Sequence, residues 1–159
     1  MIEVVRPFEL EAVSALIQRV VLTSVDASDA EKEDYLEHIA NNLGIWGAEP
    51  SSALHLKYTQ AEGLVGVIMV KAFWNLCHLF VAPENHGQGI GRALVTAASA
   101  ECWGRSAHEH LRVNSSRNAA GFYRRLGFTL VPDAPPQFAG YQYQLSFPNA
   151  EVARVGQGS

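Results

Sequence analysis

The sequence predicts one mixed α/β domain, and three observations carry that reading. Apolar residues recur at helical spacing in two early segments. Three strand-like segments then follow one another directly, and helix and strand patterns alternate after them. With 159 residues, 48% of them hydrophobic and 18% charged, the chain can build one core without disulfide or metal staples. The expected element order is βαα, then βββ, then αβαββ.

Ile2–Arg6 reads as a short strand stopped by Pro7. From Glu9 to Leu22, Val13, Leu16, Ile17 and Val20 fall on one helical face. A second helix is expected from Ser28, because Ser28 and Glu31 have capping-box spacing. Leu36, Ile39 and Leu43 form its apolar stripe, and Gly44 is its expected stop, leaving 45–52 as loop. Ala53–Thr59 and Leu64–Phe73 read as strands about a hairpin-like break at Gln60–Gly63, and Asn75–Val81 as a third strand ending before Pro83. A helix from Gly89 to Gly104 carries Ile90, Leu94, Ala97 and Ala98 on one side. His110–Val113 is then a strand, Arg117–Leu126 a helix closed by Gly127, Phe128–Val131 a strand and Asp133–Pro136 a loop. Gly140–Phe147 is the last strand, with Tyr141, Tyr143, Leu145 and Phe147 alternating. Residues 1–148 thus make the domain, and the small, polar segment 149–159 is expected to be a flexible tail.

Composition excludes several classes. Lys plus Arg number 12 against 16 Asp plus Glu, a net charge of −4 without a basic run, which argues against nucleic-acid binding. No apolar stretch approaches the roughly 18–20 residues of a membrane span. Glu3 and Arg6 interrupt the first apolar run, so it is not a signal peptide. Cys77 and Cys102 are too few for a disulfide scaffold and lack metal-ligand spacing, so no metal is expected. A soluble, cytoplasmic protein is the expectation.

The most informative segment runs from Leu79 through VAPENHGQGIGRAL to Leu94. A buried strand ends, and Gly87, Gly89 and Gly91 open a helix. Each glycine weakens a helix by about 1 kcal/mol relative to alanine, so three together need a reason. The one usually available is close approach of a ligand to backbone N–H groups at the positive end of a helix. From Asn85 to Ala100 there is no Asp or Glu, and Arg92 is the only ionised group. That combination suits a phosphate-bearing ligand. The spacing GxGxG is neither the GxGxxG of dinucleotide binders nor a P-loop, since no GK[ST] follows.

This loop and the later VNSSRNAAGFYRRLGF together resemble the GCN5-related N-acetyltransferases. That family's signature is [QR]-x-x-G-x-[GA] at a strand–helix junction, followed by a tyrosine shortly before a Gly-Phe pair. His86 departs from it by standing where Gln or Arg is usual. The resemblance implies a mostly antiparallel sheet whose parallel strands 4 and 5 splay apart, with helices on both faces. It implies acetyl-coenzyme A as cosubstrate, a small-molecule or peptide amine as acceptor, and a possible homodimer. Carried over, the backbone of Leu79, Phe80 and Val81 pairs with the pantetheine arm and polarises the thioester carbonyl. His86, Gly87, Gln88, Gly89, Ile90, Gly91 and Arg92 form the pyrophosphate cradle. Ser116 and Asn118, with Asn114 beside them, are candidate coenzyme contacts, and Ser116 is also a candidate cap for the helix after it.

Acetyl transfer needs a deprotonated amine, a stabilised tetrahedral carbonyl and a proton for the leaving thiolate. Tyr123, in FYRRLGF, matches the family's tyrosine and is the expected acid, facing the cleft while Phe122 enters the core with Leu126. Where a glutamate base is common the chain has Asn75, which cannot take an ammonium proton but can hold a water. His78 is expected to face away as a hydrogen-bonded histidine beneath a helix, unless a bulge intervenes. Glu109 and His110 are the other nearby titratable groups, so the base stays unassigned. Trp46, Trp74, Phe138 and Tyr141 are placed at the acceptor rim, and Phe73, Trp103 and Phe147 in packing.

Overall fold

A computed structural model describes residues 1–116, 118–132 and 140–147. The elements are β1 (Ile2–Val4), α1 (Leu10–Ser24), α2 (Asp29–Ala48), β2 (Ala53–Gln60), β3 (Gly63–Lys71) and β4 (Asn75–Val81). After them come α3 (Ile90–Trp103), β5 (His110–Ser116), α4 (Ala120–Arg125), β6 (Thr129–Leu130) and β7 (Gly140–Ser146). Among the described residues, one seven-stranded sheet has the order β1-β2-β3-β4-β5-β7-β6. In it β4 and β5 pair in parallel, and every other neighbouring pair is antiparallel.

The helices cover opposite faces because the strands alternate. Gly66 of β3 faces α3, where an added Cβ would meet Ile90 and Leu94 at 3.1 Å. Its neighbour Val67 must point the other way, and shares that face with its partner Phe80, whose ring meets Tyr35 of α2 at 6.1 Å. The stripe of α1 predicted from the sequence is the buried one: Val13, Leu16, Ile17 and Val20 all lie in the core, joined by Val21. Among the described residues no helix is long and apolar enough to cross a membrane.

The expected capping box starts α2. The amide of Glu31 donates to Ser28 Oγ and the amide of Ser28 donates to Glu31 Oε1, each at 3.2 Å. Ser28→Ala should remove about 1 kcal/mol, read as a lower urea midpoint at unchanged slope.

Several boundaries differ from the sequence reading. The second helix does not stop at Gly44, which has no left-handed φ to turn the chain; it runs to Ala48 because continuing buries Trp46. The loop expected over 45–52 is therefore helix followed by a 3-10 turn, Pro50–Ser52. The fifth strand continues past Val113 to Ser116, since antiparallel pairing with β7 extends to Ser116↔Gly140. The next helix begins only at Ala120 with Ala119 as its N-cap, so Ser116 does not cap it. The expected loop 133–136 and the tail 149–159 lie outside the described residues.

The ladder between β3 and β4 is irregular at one point. Pairing passes from Met69↔His78 to Val70↔Leu76, which leaves Cys77 as an extra residue, a β-bulge. The turn joining the same strands places Ala72 at φ 52° and Phe73 at φ 64°, left-handed positions that usually take Asn or Gly. The Arg105 guanidinium lies 4.1 Å over the Phe73 ring.

Candidate active site

Parallel strands β4 and β5 pair only at Asn75↔Arg112 and Leu76↔Val113, although one runs on to Val81 and the other to Ser116. Beyond Leu76 they part. The bulge at Cys77 sits at the first residue after the last pair, where added twist bends the strand away from its neighbour. The result is a wedge-shaped gap with its closed end beside Asn75 and Leu76. Its limbs are the backbone of Cys77–Val81 on one side and Asn114–Ser116 on the other. The peptide groups of Leu79, Phe80 and Val81 thus line the gap, while the Phe80 side chain is buried under α2. Glu109 and His110 precede Arg112, so they lie outside the closed end and not in the gap. The Glu109 carbonyl there accepts from the Phe147 amide at 2.8 Å.

The mouth of the gap is the glycine loop, held by side chains from three directions. Glu84 pairs with Arg19 of α1 at 2.9 Å. Asn85 Nδ2 donates to Gln60 Oε1 at 3.0 Å, and Gln60 Nε2 donates to Gln88 Oε1 at 3.2 Å, tying the loop to the β2–β3 hairpin. The His86 Nε2–H donates to the Val81 carbonyl at 2.9 Å. His86 is therefore a brace between the loop and β4.

Gly87 and Gly89 have φ of 79° and 78°, and an added Cβ at either would meet nothing within 4 Å. They serve the turn and leave its outer side open. Gly89 is the N-cap of α3, with no side-chain cap and no acidic residue in the first turn. The first-turn amides of Ile90, Gly91 and Arg92 have no helical acceptors, so a positive, uncovered helix end faces this space. Gly91 answers to a different need: a Cβ there would lie 3.2 and 3.3 Å from the Phe122 ring. Its missing Cβ lets α4 pack on α3.

Tyr123 projects from α4 and is 6% exposed, with Phe122 at 5.1 Å and Phe128 at 5.2 Å between ring centroids. The sequence pattern makes Phe122 the inward residue; in the structure Tyr123 is the more buried of the two, because Phe122 is half-covered against Gly91. Burial, with the Tyr35 hydroxyl adding to it, pushes the Tyr123 phenol above its ordinary range. It is a protonated donor throughout the neutral range. Tyr35 of α2 is itself pushed up to about 12 by burial and by Cys77, and burial pushes the Cys77 thiol up to about 11. The Cys77 Sγ–H donates to the Met69 carbonyl at 3.6 Å. Tyr35, which sequence reasoning missed, thus belongs with Cys77 and Tyr123; its spacing four residues before Ile39 and eight before Leu43 is the signal that could have placed it on the buried side of α2.

The remaining candidates scatter. Ser116 and Asn118 are exposed at the open end of β5. Trp46 is not at a rim: it is 3% exposed and packs edge-on against His55 at 4.5 Å. Trp74 stacks on His108 at 4.4 Å, Tyr141 is 49% exposed, and Phe138 lies outside the described residues. The bulge does intervene at His78, which is buried under α2 as expected but without a hydrogen-bond partner.

Known proteins share this architecture. A GCN5-related N-acetyltransferase from Rhodopseudomonas palustris superposes with a TM-score of 0.75 at 20% identity, covering 92% of this chain and 94% of the other. An N-acetyltransferase from Thermoplasma acidophilum, solved with coenzyme A, gives 0.72 at 17% over 92% and 98%. A GNAT family acetyltransferase from Brucella melitensis, in complex with acetyl-CoA, gives 0.65 at 19% over 94% and 88%. At such identities these likenesses speak for the fold. No curated protein matches the sequence. A family model for the acetyltransferase (GNAT) domain matches residues 25–144, most of the chain. With the forked sheet and the glycine loop in place, the chain belongs to the GNAT acetyltransferase family.

Proposed function

We propose that the chain transfers an acetyl group from acetyl-coenzyme A to a primary amine of a small molecule or peptide, directly, within a ternary complex. One observation carries the reading. A gap lined by strand backbone runs from a closed end at Asn75 and Leu76 to an acid-free helix N-terminus. An extended amide-bearing arm suits the first, and a diphosphate suits the second. Two of the fold's relatives were solved with coenzyme A or its acetyl form.

In this reading, backbone groups of Leu79, Phe80 and Val81 align the arm, and one N–H of this strand polarises the carbonyl. The amides from Gly87 through Gln88, Gly89, Ile90 and Gly91 to Arg92 hold the diphosphate, with the Arg92 charge beside them. His86 supports the loop through Val81 instead of contacting phosphate by its ring. Ser116 and Asn118 meet the coenzyme from the β5 side. Asn75 holds a water that relays the proton from an ammonium whose free pKa is about 10.4. Tyr123 delivers the proton to the departing sulfur. Direct transfer is favoured because Cys77, at about 11, is a thiol and not a thiolate nucleophile near neutrality.

The test is free-thiol release from acetyl-coenzyme A with a panel of amines. Tyr123→Phe should lower turnover about 100-fold while leaving coenzyme affinity unchanged by calorimetry. Unaltered turnover removes the acid assignment. Tight coenzyme binding with no thiol release for any amine would instead make the chain an acyl-coenzyme A-binding module, the reading that the missing carboxylate at Asn75 favours.

A further inference from the structure

On the face of the sheet covered by α2, His55 of β2, Met69 of β3 and His78 of β4 stand in one row, since Met69 is paired in register with both histidines. Their exposures are 1%, 1% and 2%. The two imidazoles reach past the strand between them, with ring centroids 5.6 Å apart and planes at 74°. Trp46 closes the His55 side, edge-on at 4.5 Å. All four ring nitrogens are out of contact with solvent and have no hydrogen-bond partner. One buried polar group left unmatched costs about 1–3 kcal/mol, so the lone-pair nitrogen of each ring calls for a partner at this spot, the other nitrogen of each being an N–H.

The chemistry of the set narrows what that occupant is. Two imidazoles bound to one metal at about 2 Å place their ring centroids roughly 5.5–6 Å apart for an angle between trigonal and linear; the 5.6 Å between these edge-on rings lies in that range, as it does in the range of aromatic packing. Among the described residues no group of three His, Cys, Asp or Glu side chains could hold a metal ion. Zinc would therefore lack its four ligands. Two neutral imidazoles and a thioether are instead a set for a soft monovalent ion content with two or three ligands. Cys77 is turned to the Met69 carbonyl and is not part of the row.

We propose that His55, His78 and Met69 form a buried site for cuprous copper. His78 belongs to the strand that forms one limb of the sheet gap, with its side chain on the α2 face, and the test does not depend on acetyl transfer. The experiment is anaerobic titration of the reduced full chain with cuprous ion against a colorimetric cuprous chelator, followed by X-ray absorption at the copper edge. The expected result is one equivalent bound, with two nitrogen neighbours and one sulfur. Long-range proton–nitrogen spectra of the unmodified protein should show two of the six histidines shifting on addition, which requires no variant. Met69→Leu, a swap the core tolerates, should weaken binding about tenfold, and His55→Phe or His78→Phe should abolish it. Cys77→Ser with Cys102→Ser should leave it intact. Copper lost with the cysteines, or retained in the doubly substituted His55→Phe, His78→Phe chain, overturns the proposal. So does failure of the native protein to compete for the ion, which would assign the ring nitrogens to internal water.

Discussion

Lowering the pH from 7 to 4 should destabilise the metal-free protein by about 3 kcal/mol through His55 alone. Burial holds its imidazole down at about 4, and the Glu9 carboxylate offsets only part of that effect. In the unfolded chain the same group titrates near 6.5. Below that value the unfolded state takes up a proton that the folded state refuses. Stability is therefore complete above about 6.5 and is lost progressively as the pH falls towards the folded value. Burial, then His55 itself, lowers His78 in the same sense, so it adds to the loss. The carboxylates act in a different window. Lys57, Ser28 and Arg19 hold Glu9, Glu31 and Glu84 below the ordinary carboxylate value of 4.5, so their contribution disappears only as the pH falls through their lowered values. Urea unfolding at pH 7, 5.5 and 4 separates the two. His55→Phe should flatten the upper part of the profile, and an unchanged slope between pH 6.5 and 4 would contradict the burial argument.

Gly89→Glu should weaken coenzyme A binding by at least about 100-fold, or roughly 2.7 kcal/mol, while the fold survives. The new side chain meets no steric obstacle, because the space at its Cβ is empty. Two other effects remain. A left-handed φ of 78° strains any residue with a Cβ by about 1–2 kcal/mol. A carboxylate at a helix N-terminus recovers about 0.3–1 kcal/mol of that. The carboxylate then sits where a phosphate anion would have to bind, and excludes it by charge. Gly89→Asn separates the terms, since asparagine tolerates the left-handed region; it should cost only a few-fold in affinity. Calorimetry with coenzyme A gives both numbers. Native-like affinity in the glutamate variant would dissociate the loop from phosphate recognition.

What can be foreseen from the chain divides along physical lines. The limits of β4, the stripe of α1 and the Ser28 cap follow from local pattern, because each depends on neighbours in sequence. Gly44 misleads because a glycine stops a helix only when the chain needs a left-handed turn there. Burial of Trp46 outweighs that signal. Tyr123 is more buried than Phe122, against the expected order, because the packing of Phe122 at Gly91 is set by contacts distant in sequence. The row of His55, Met69 and His78 is invisible in the sequence for the same reason: it exists only once three strands are aligned in register. Sequence identifies the glycine loop and the two diverging strands; it also sets Tyr35 on one helical side with Ile39, but the meeting of Tyr35 with Cys77 and Tyr123 depends on the folded sheet.

The additional residue at Cys77 has a consequence for any transfer of roles between related chains. Downstream of it, from His78 to Val81, odd and even positions keep the phase set by the glycine loop. Upstream, at Leu76 and Asn75, that phase is inverted. Assigning a side chain to one side of the sheet by counting back from the loop is therefore sound as far as His78 and reverses beyond it. Deleting residue 77 would remove the inversion, since Leu76 and His78 would then be consecutive partners of Val70 and Met69.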